Sequence, residues 1–284
     1  MKHILVPVDF SAEAANAAHF AAQLAKQLDA ELTLLYVFNL PVRLTEVPYQ
    51  AAFSRQDLEN EEMLDDLSQE LELRHGVQAL KLNVMGYAVD QIVELTLNSV
   101  FDLIVLGMKG AGEKLSYLIG STATEVMRRS LVPVLAVPGN SRFKIPKLIL
   151  LACDFQQVNH PDIFQMLMSL CRRFESEIAL LNVFKPGELP VRKKAVEGIR
   201  LERYLDGINY HFDFEEQENV ELGVDNYLCS HPSDMLVIVP HEHNLVERLF
   251  QKAHSKRLML HATIPVLALP DTLIGPQMKS HPAE

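Results

Sequence analysis

The chain repeats one pattern twice, and that duplication restricts the fold more than any feature of composition. Lys2-His-Ile-Leu-Val-Pro-Val-Asp9-Phe10 returns as Lys147-Leu-Ile-Leu-Leu-Ala-Cys-Asp154-Phe155, and Leu34-Leu-Tyr-Val-Phe38 returns as Leu180-Leu-Asn-Val-Phe184. Asp102-Leu-Ile-Val-Leu106 returns as Asp234-Met-Leu-Val-Ile238, and Val132-Pro-Val-Leu-Ala-Val-Pro138 as Ile264-Pro-Val-Leu-Ala-Leu-Pro270. The separation falls from 146 residues in the second of these matches to 132 in the last two, so the second copy is about 14 residues shorter between its second and fourth strands. Four matches in one order are the mark of tandem domains, expected over 1–140 and 145–272 with a tail at 273–284. The polar turn Gly139-Asn140-Ser141-Arg142 is the expected junction.

Within the first copy, short Val/Ile/Leu-rich runs alternate with helical patterns. Residues 3–8, 31–38, 80–85, 102–106 and 133–137 read as strands, several nearly continuous in apolar residues, as parallel strands covered on both faces require. Ser11 to Leu28 reads as a helix with Ser11 as N-cap and Ala14, Ala18, Ala21, Ala22 and Ala25 on a close-packing face. The acidic run Arg55–Arg74 places Leu64, Leu67 and Leu71 on one face and Glu61, Glu62, Asp65 and Asp66 on a solvated one. Residues 90–99 and 121–130 supply two further helices. Alternation of this kind specifies an α/β fold: two tandem doubly wound domains, each on a parallel sheet.

The balance of charge narrows the partners. With 26 Lys and Arg against 37 Asp and Glu, the formal net charge is −11, which repels nucleic-acid phosphates and anionic membrane surfaces. No apolar run reaches the length of a membrane span, and the opening residues lack the apolar region of a secretory signal, so a cytoplasmic protein is expected. Cys153, Cys171 and Cys229 have no CxxC spacing and are expected in small buried roles rather than as disulfides, zinc ligands or reactive thiols. His241-Glu242-His243, with His254 and His261, lacks a fixed metal-binding spacing and reads as a polar loop beside a helix.

Open parallel sheets hold ligands where the carboxyl ends of strands diverge. In the first copy, the first strand ends at Asp9 and the fourth runs into Gly107-Met108-Lys109-Gly110, followed by Gly120-Ser121-Thr122 at a helix start. Glycines at 107, 110 and 112 let the backbone adopt positive φ and approach a ligand closely. The helix N-terminus, with its free N–H groups and two hydroxyls, suits a phosphate. Plain turn glycines, a Ser/Thr cap and a turn carboxylate account for the same residues without a ligand. Neither a Walker G-x-x-x-x-G-K-[ST] loop nor a G-x-G-x-x-G fingerprint after the first strand is present, and residues 9–14 do not fit the S-G-G-x-D-S-like loop of adenylating enzymes.

The pattern Gly107-x2-Gly110-x9-Gly120-Ser121, with Ile4-Leu-Val-Pro-Val-Asp9 and Val132-Pro-Val-Leu-Ala-Val-Pro138 around it, resembles the nucleotide-binding signature of the universal stress protein family. The resemblance implies a five-stranded parallel sheet in each copy, in the order 3-2-1-4-5 with helices on both faces. It further implies ATP, or AMP or ADP, as ligand. Carried onto this chain, Asp9 meets the adenosine end, Val37 lies beside the base, and Gly107, Gly110, Gly120, Ser121 and Thr122 line the ribose and phosphates. Met108 and Lys109 are weaker assignments, Lys109 as a phosphate counter-charge or a solvent-facing lysine. Family pairing through edge strands implies a homodimer or an intramolecular pseudo-dimer, with Val132–Val137 and Ile264–Leu269 at the join.

In the second copy Val239, Glu242, Lys252 and Ala253 stand where Gly107, Gly110, Gly120 and Ser121 stand in the first, so one nucleotide site per chain is expected. No residue is evidently placed to activate a water, and no acid pair beyond Asp9 suggests a Mg²⁺ clamp, so the reading favours binding, with slow ATP hydrolysis at most. The competing reading is a nucleotide-free interaction scaffold.

Overall fold

A computed structural model describes residues 1–39, 49–98, 101–108, 121–152, 161–187, 205–239 and 263–270; side chains are described for these except residues 49–56, 98, 121, 161 and 162. The chain divides into two compact units, Met1–Val126 with Val134–Lys144, and Met127–Pro133 with the residues from Ile145 onward. The first carries β1 (His3–Val8), α1 (Ala12–Leu28), β2 (Glu31–Phe38), α2 (Tyr49–His75), β3 (Ala79–Met85), α3 (Ala88–Asn98), β4 (Leu103–Met108), the start of α4 (Ser121–Arg129) and β5 (Val134–Pro138). The second carries β6 (Leu148–Ala152), a 3₁₀ turn (Pro161–Phe164), α5 (Gln165–Phe174), β7 (Glu177–Phe184), β8 (Tyr210–Glu216), α6 (Val220–Ser230), β9 (Met235–Ile238) and β10 (Val266–Ala268).

Strand order in the first unit is β3-β2-β1-β4-β5 and in the second β8-β7-β6-β9-β10, the same succession, with parallel pairing wherever register is defined. Consecutive residues of a strand face opposite sides of a sheet. Ile4, Leu5 and Val6 of β1 and Leu103, Ile104 and Val105 of β4 are all buried, so both faces there are covered. The edge strand β3 is only half-buried, and Leu80 and Met85 on it are exposed. Alanine accounts for the close seating of α1: Ala14, Ala18, Ala21, Ala22 and Ala25 are all buried. Leu64, Leu67 and Leu71 of α2 turn inward as their spacing requires.

The duplication extends to atomic detail. Asp102 Oδ2 accepts the N–H groups of Lys2 (2.6 Å) and His3 (3.1 Å) at the foot of β1. Its repeat partner Asp234 accepts those of Lys147 (2.7 Å) and Leu148 (3.1 Å) at the foot of β6. The helices after these strands end alike, on the left-handed residues Asp29 (φ 52°) and Glu175 (φ 54°). The shortening of the second copy falls between its second and third strands, where Phe184 to Tyr210 replaces the longer connection from Phe38 to Ala79 containing α2.

A histidine pair clasps α2 to α1. His19 Nδ1 and His75 Nε2 lie 3.0 Å apart, and His19 Nε2 faces Glu70 Oε1 at 3.3 Å. The two facing nitrogens have room for one proton between them, so the rings do not both carry charge at once. Desolvation, then the neighbouring His19, Arg74 and Lys26, hold His75 below its ordinary value of 6.5, against the opposing pull of Glu70. The unfolded chain therefore takes up the proton more readily, and stability rises with pH through this window. Equilibrium denaturation is expected to show the clasp's contribution above about pH 6.5 and its loss as pH falls below that value, with His75→Gln flattening the slope. An unchanged slope in that variant overturns the assignment.

Candidate functional site

The chain leaves β1 at the exposed Asp9 and reverses into α1 through Phe10, which sits at φ 58°. A bulky residue there is backbone strain, and it is braced by the Phe10 ring against Tyr36, centroids 4.8 Å apart. Asp9 Oδ1 accepts both the N–H (3.0 Å) and the hydroxyl (2.5 Å) of Ser11. Ser11 Oγ in turn accepts the N–H of Ala14 at 3.2 Å, so Ser11 caps α1 as its sequence position predicts. One oxygen of Asp9 thus holds the turn, the structural role open to it from the sequence.

A cavity of about 440 Å³ opens at these strand ends, within the size of small-molecule sites. Its floor is Pro7 and Val8 from β1 with Asp9 just beyond it, Leu35 and Val37 from β2, and Leu106 and Gly107 from β4. Its walls are the cap Ser11 with Glu13 and Ala14 from α1, Ala88 and Ile92 from α3, and Thr122 and Ala123 from α4. Strand β1 pairs with β2 on one side and β4 on the other, so the cavity occupies the switch point where connections diverge. Three helices begin near its rim, and their positive dipole ends favour negative charge. Arg128 and Arg129 in the last turn of α4 suit that dipole. The valine, leucine, isoleucine and alanine walls suit an apolar, flat group, while Asp9 and Glu13 add acceptors for hydroxyl or amine donors. Among the described residues no group of three or more His, Cys, Asp or Glu is arranged to hold a metal.

Of the expected site residues, Asp9, Val37, Gly107 and Thr122 meet in this cavity. Met108 does not line it: the side chain is 1% exposed, packed in the core, and its carbonyl accepts the N–H of Gly139 at 3.1 Å. Ser121 is the first residue of α4, as its place in the sequence predicts, with only its backbone described. Lys109, Gly110 and Gly120 lie outside the described residues, as do Asp154, Glu242, Lys252, Ala253, Cys153 and the histidines 241, 243, 254 and 261. Gly107 corrects an expectation. It does not adopt positive φ, and a β-carbon there would lie 2.5 Å from the carbonyl oxygen of Glu13 and 2.8 Å from the nitrogen of Ala14. The glycine is needed first to seat the opening turn of α1 on β4.

Glu13, Ala88 and Ile92 were not legible as site residues, because only the winding of α1 and α3 around the strand ends brings them to the cavity. Of the cysteines, Cys171 fits its expected buried role, and burial pushes its thiol up to about 12, so it stays protonated and unreactive. Cys229, near the end of α6, is exposed, contrary to the buried role expected of it. Among the described residues no helix is long and apolar enough to cross a membrane.

Fold and cavity together define a doubly wound α/β protein with a crevice at the topological switch of its first unit. The model of the universal stress protein family matches residues 1–138. A universal stress protein of Methanocaldococcus jannaschii is 30% identical over 139 residues, 48% of this chain and 81% of that protein. One from Bacillus subtilis is 29% identical over 143 residues, 47% of this chain and 97% of its own. The chain belongs to the universal stress protein family. The crystal structure of a universal stress protein from Archaeoglobus fulgidus matches 95% of this chain and 98% of its own with a TM-score of 0.75 at 18% identity, a likeness of fold.

Proposed function

We propose that the cavity of the first unit binds ATP or another adenine nucleotide, and that this cytoplasmic protein acts as a nucleotide-responsive sensor or regulator in a stress response. The observation that carries this reading is the cavity at the β1–β4 switch point, apolar on the Val37 and Ile92 side and rimmed by the N-terminus of α4 at Thr122. An adenine ring suits the first and phosphates the second. On this reading Asp9 meets the adenosine end, and Gly107, Gly110, Gly120, Ser121 and Thr122 follow the ribose and phosphates, with Lys109 as counter-charge. Met108, buried in β4 next to Gly107, is the weaker member of this set.

The chain is read as two domains, 1–140 and 145–272, of which only the first retains the site. Val239 in place of Gly107 and Glu242 in place of Gly110 argue against a phosphate cradle in the second. Isothermal titration calorimetry of the full chain with ATP, with and without Mg²⁺, is expected to saturate at about one equivalent. Thermal unfolding at a hundredfold excess over Kd should then gain about 2.7 kcal/mol. Absence of heat with ATP, ADP and AMP alike overturns the reading in favour of a nucleotide-free scaffold, and saturation at two equivalents overturns the assignment of a silent second domain.

A further inference from the structure

One residue of the cavity wall also touches the segment that leads out of the first unit. Glu13 lines the cavity, and its Cγ lies against Gly139, where a β-carbon would come within 3.0 Å. Three residues along α1, the buried Asn16 donates its amide to the carbonyls of Pro138 (3.0 Å) and Ser141 (2.9 Å) and accepts from the Arg142 guanidinium. A further turn on, Phe20 meets Phe143 edge to face, centroids 5.2 Å apart. Positions 13, 16 and 20 share one face of a helix, so residues 138–143 lie along α1 as a strap. The strap has two backbone hydrogen bonds of its own, Gly139 N–H to Met108 O (3.1 Å) and Ser141 N–H to Pro138 O (2.9 Å). The second unit resumes at Ile145.

We infer that this strap is an allosteric element, its docking on α1 and the binding of a nucleotide in the cavity strengthening each other; the inference rests on the nucleotide reading above. The two states are strap docked and strap released. When it is docked, Gly139 backs the Glu13 side chain, and Asn16 ties the first half of α1 to the end of β5. Release leaves the buried Asn16 amide without its Ser141 and Arg142 partners and takes Gly139 from behind Glu13, so the opening turn of α1, which gives Glu13 and Ala14 to the cavity wall, loses its backing. A nucleotide therefore binds the docked state better, which is the differential affinity a shift of population requires. By linkage, the factor by which docking raises affinity is the factor by which nucleotide favours docking.

The test is native-state amide exchange on the full chain with and without ATP, read at Gly139 and Ser141, together with ATP titration of Arg142→Ala and Asn16→Ala. Saturating ATP is expected to slow these two amides at least about fivefold more than the amides of β3, and each variant to bind ATP about fivefold or more weakly. Arg142 is exposed, so its variant keeps the test usable where loss of the buried Asn16 unfolds the chain. ATP binding by the wild type with no preferential slowing at Gly139 and Ser141, and with unchanged affinity in Arg142→Ala, overturns the strap while leaving the nucleotide reading standing. A wild type that binds no adenine nucleotide overturns both.

Discussion

Gly107→Ala is expected to lower the stability of the ligand-free first unit by about 3 kcal/mol, the upper part of the range for overpacking, and to abolish measurable ATP binding. The added methyl arrives 2.5 Å from the Glu13 carbonyl oxygen and 2.6 Å from its carbon, and backbone has no rotamer by which to retreat. The opening turn of α1 must lift from β4, and with it Ser11, Glu13 and Ala14 of the cavity wall. Chemical denaturation and calorimetry of the same variant separate two roles. A glycine that serves ligand approach alone would leave ligand-free stability unchanged, and that outcome overturns the account. Nature has placed a β-carbon at this position in the second unit, where Val239 is fully buried. Among the described residues there, Pro161–Phe164 form a 3₁₀ turn and α5 follows from Gln165, and its C-terminal cap, the Glu175 N–H on the Cys171 carbonyl, occupies the position of the Asp29 cap on Ala25 in α1.

The sheet was legible because its signal is local and repeated. The runs 3–8 and 31–38 emerge as β1 and β2 with those bounds, and Ser11 caps α1 where its position requires. The acidic helix was harder: α2 extends from Tyr49, well before Arg55, because its opening Tyr49-Gln-Ala-Ala-Phe-Ser54 carries none of the acidic residues that mark the rest. The strand Tyr210–Glu216 was not placed, because its alternation of aromatic with acidic residues suits a sheet edge rather than a buried run. For the site, motif residues were readable where chemistry is carried by type, as at Asp9 and Thr122. Packing partners were not: the contact that demands Gly107 comes from α1, nearly a hundred residues earlier in the chain. Sequence pattern identified the glycine but not the packing duty that its contact with Glu13 adds.

The other large effect is expected in the second unit, and its sign makes it informative. Gly223 lies within α6, and alanine in a helix interior is ordinarily favoured over glycine by about 1 kcal/mol. Here a β-carbon would stand 2.6 Å from both methyl carbons of Val183 and 3.2 Å from its Cβ. Valine is confined at χ1 and cannot swing both methyls away, so overpacking of as much as about 3 kcal/mol prevails over propensity. Gly223→Ala is therefore expected to destabilise the second unit by roughly 2 kcal/mol, and Val183→Ala in the same chain to recover most of that loss, a coupling that a double-mutant cycle in denaturant measures. Stabilisation by Gly223→Ala, or additivity of the two changes, overturns the packing argument. Val183 is the repeat partner of Val37, and Gly223 stands where the first copy has Gln91. In the first unit Val37 lines a cavity; in the second its partner has α6 pressed against both methyls. The divergence of the two copies thus lies in helix seating as much as in the lost glycines. Restoring Gly107's counterpart by Val239→Gly is accordingly expected to leave ATP stoichiometry at one per chain.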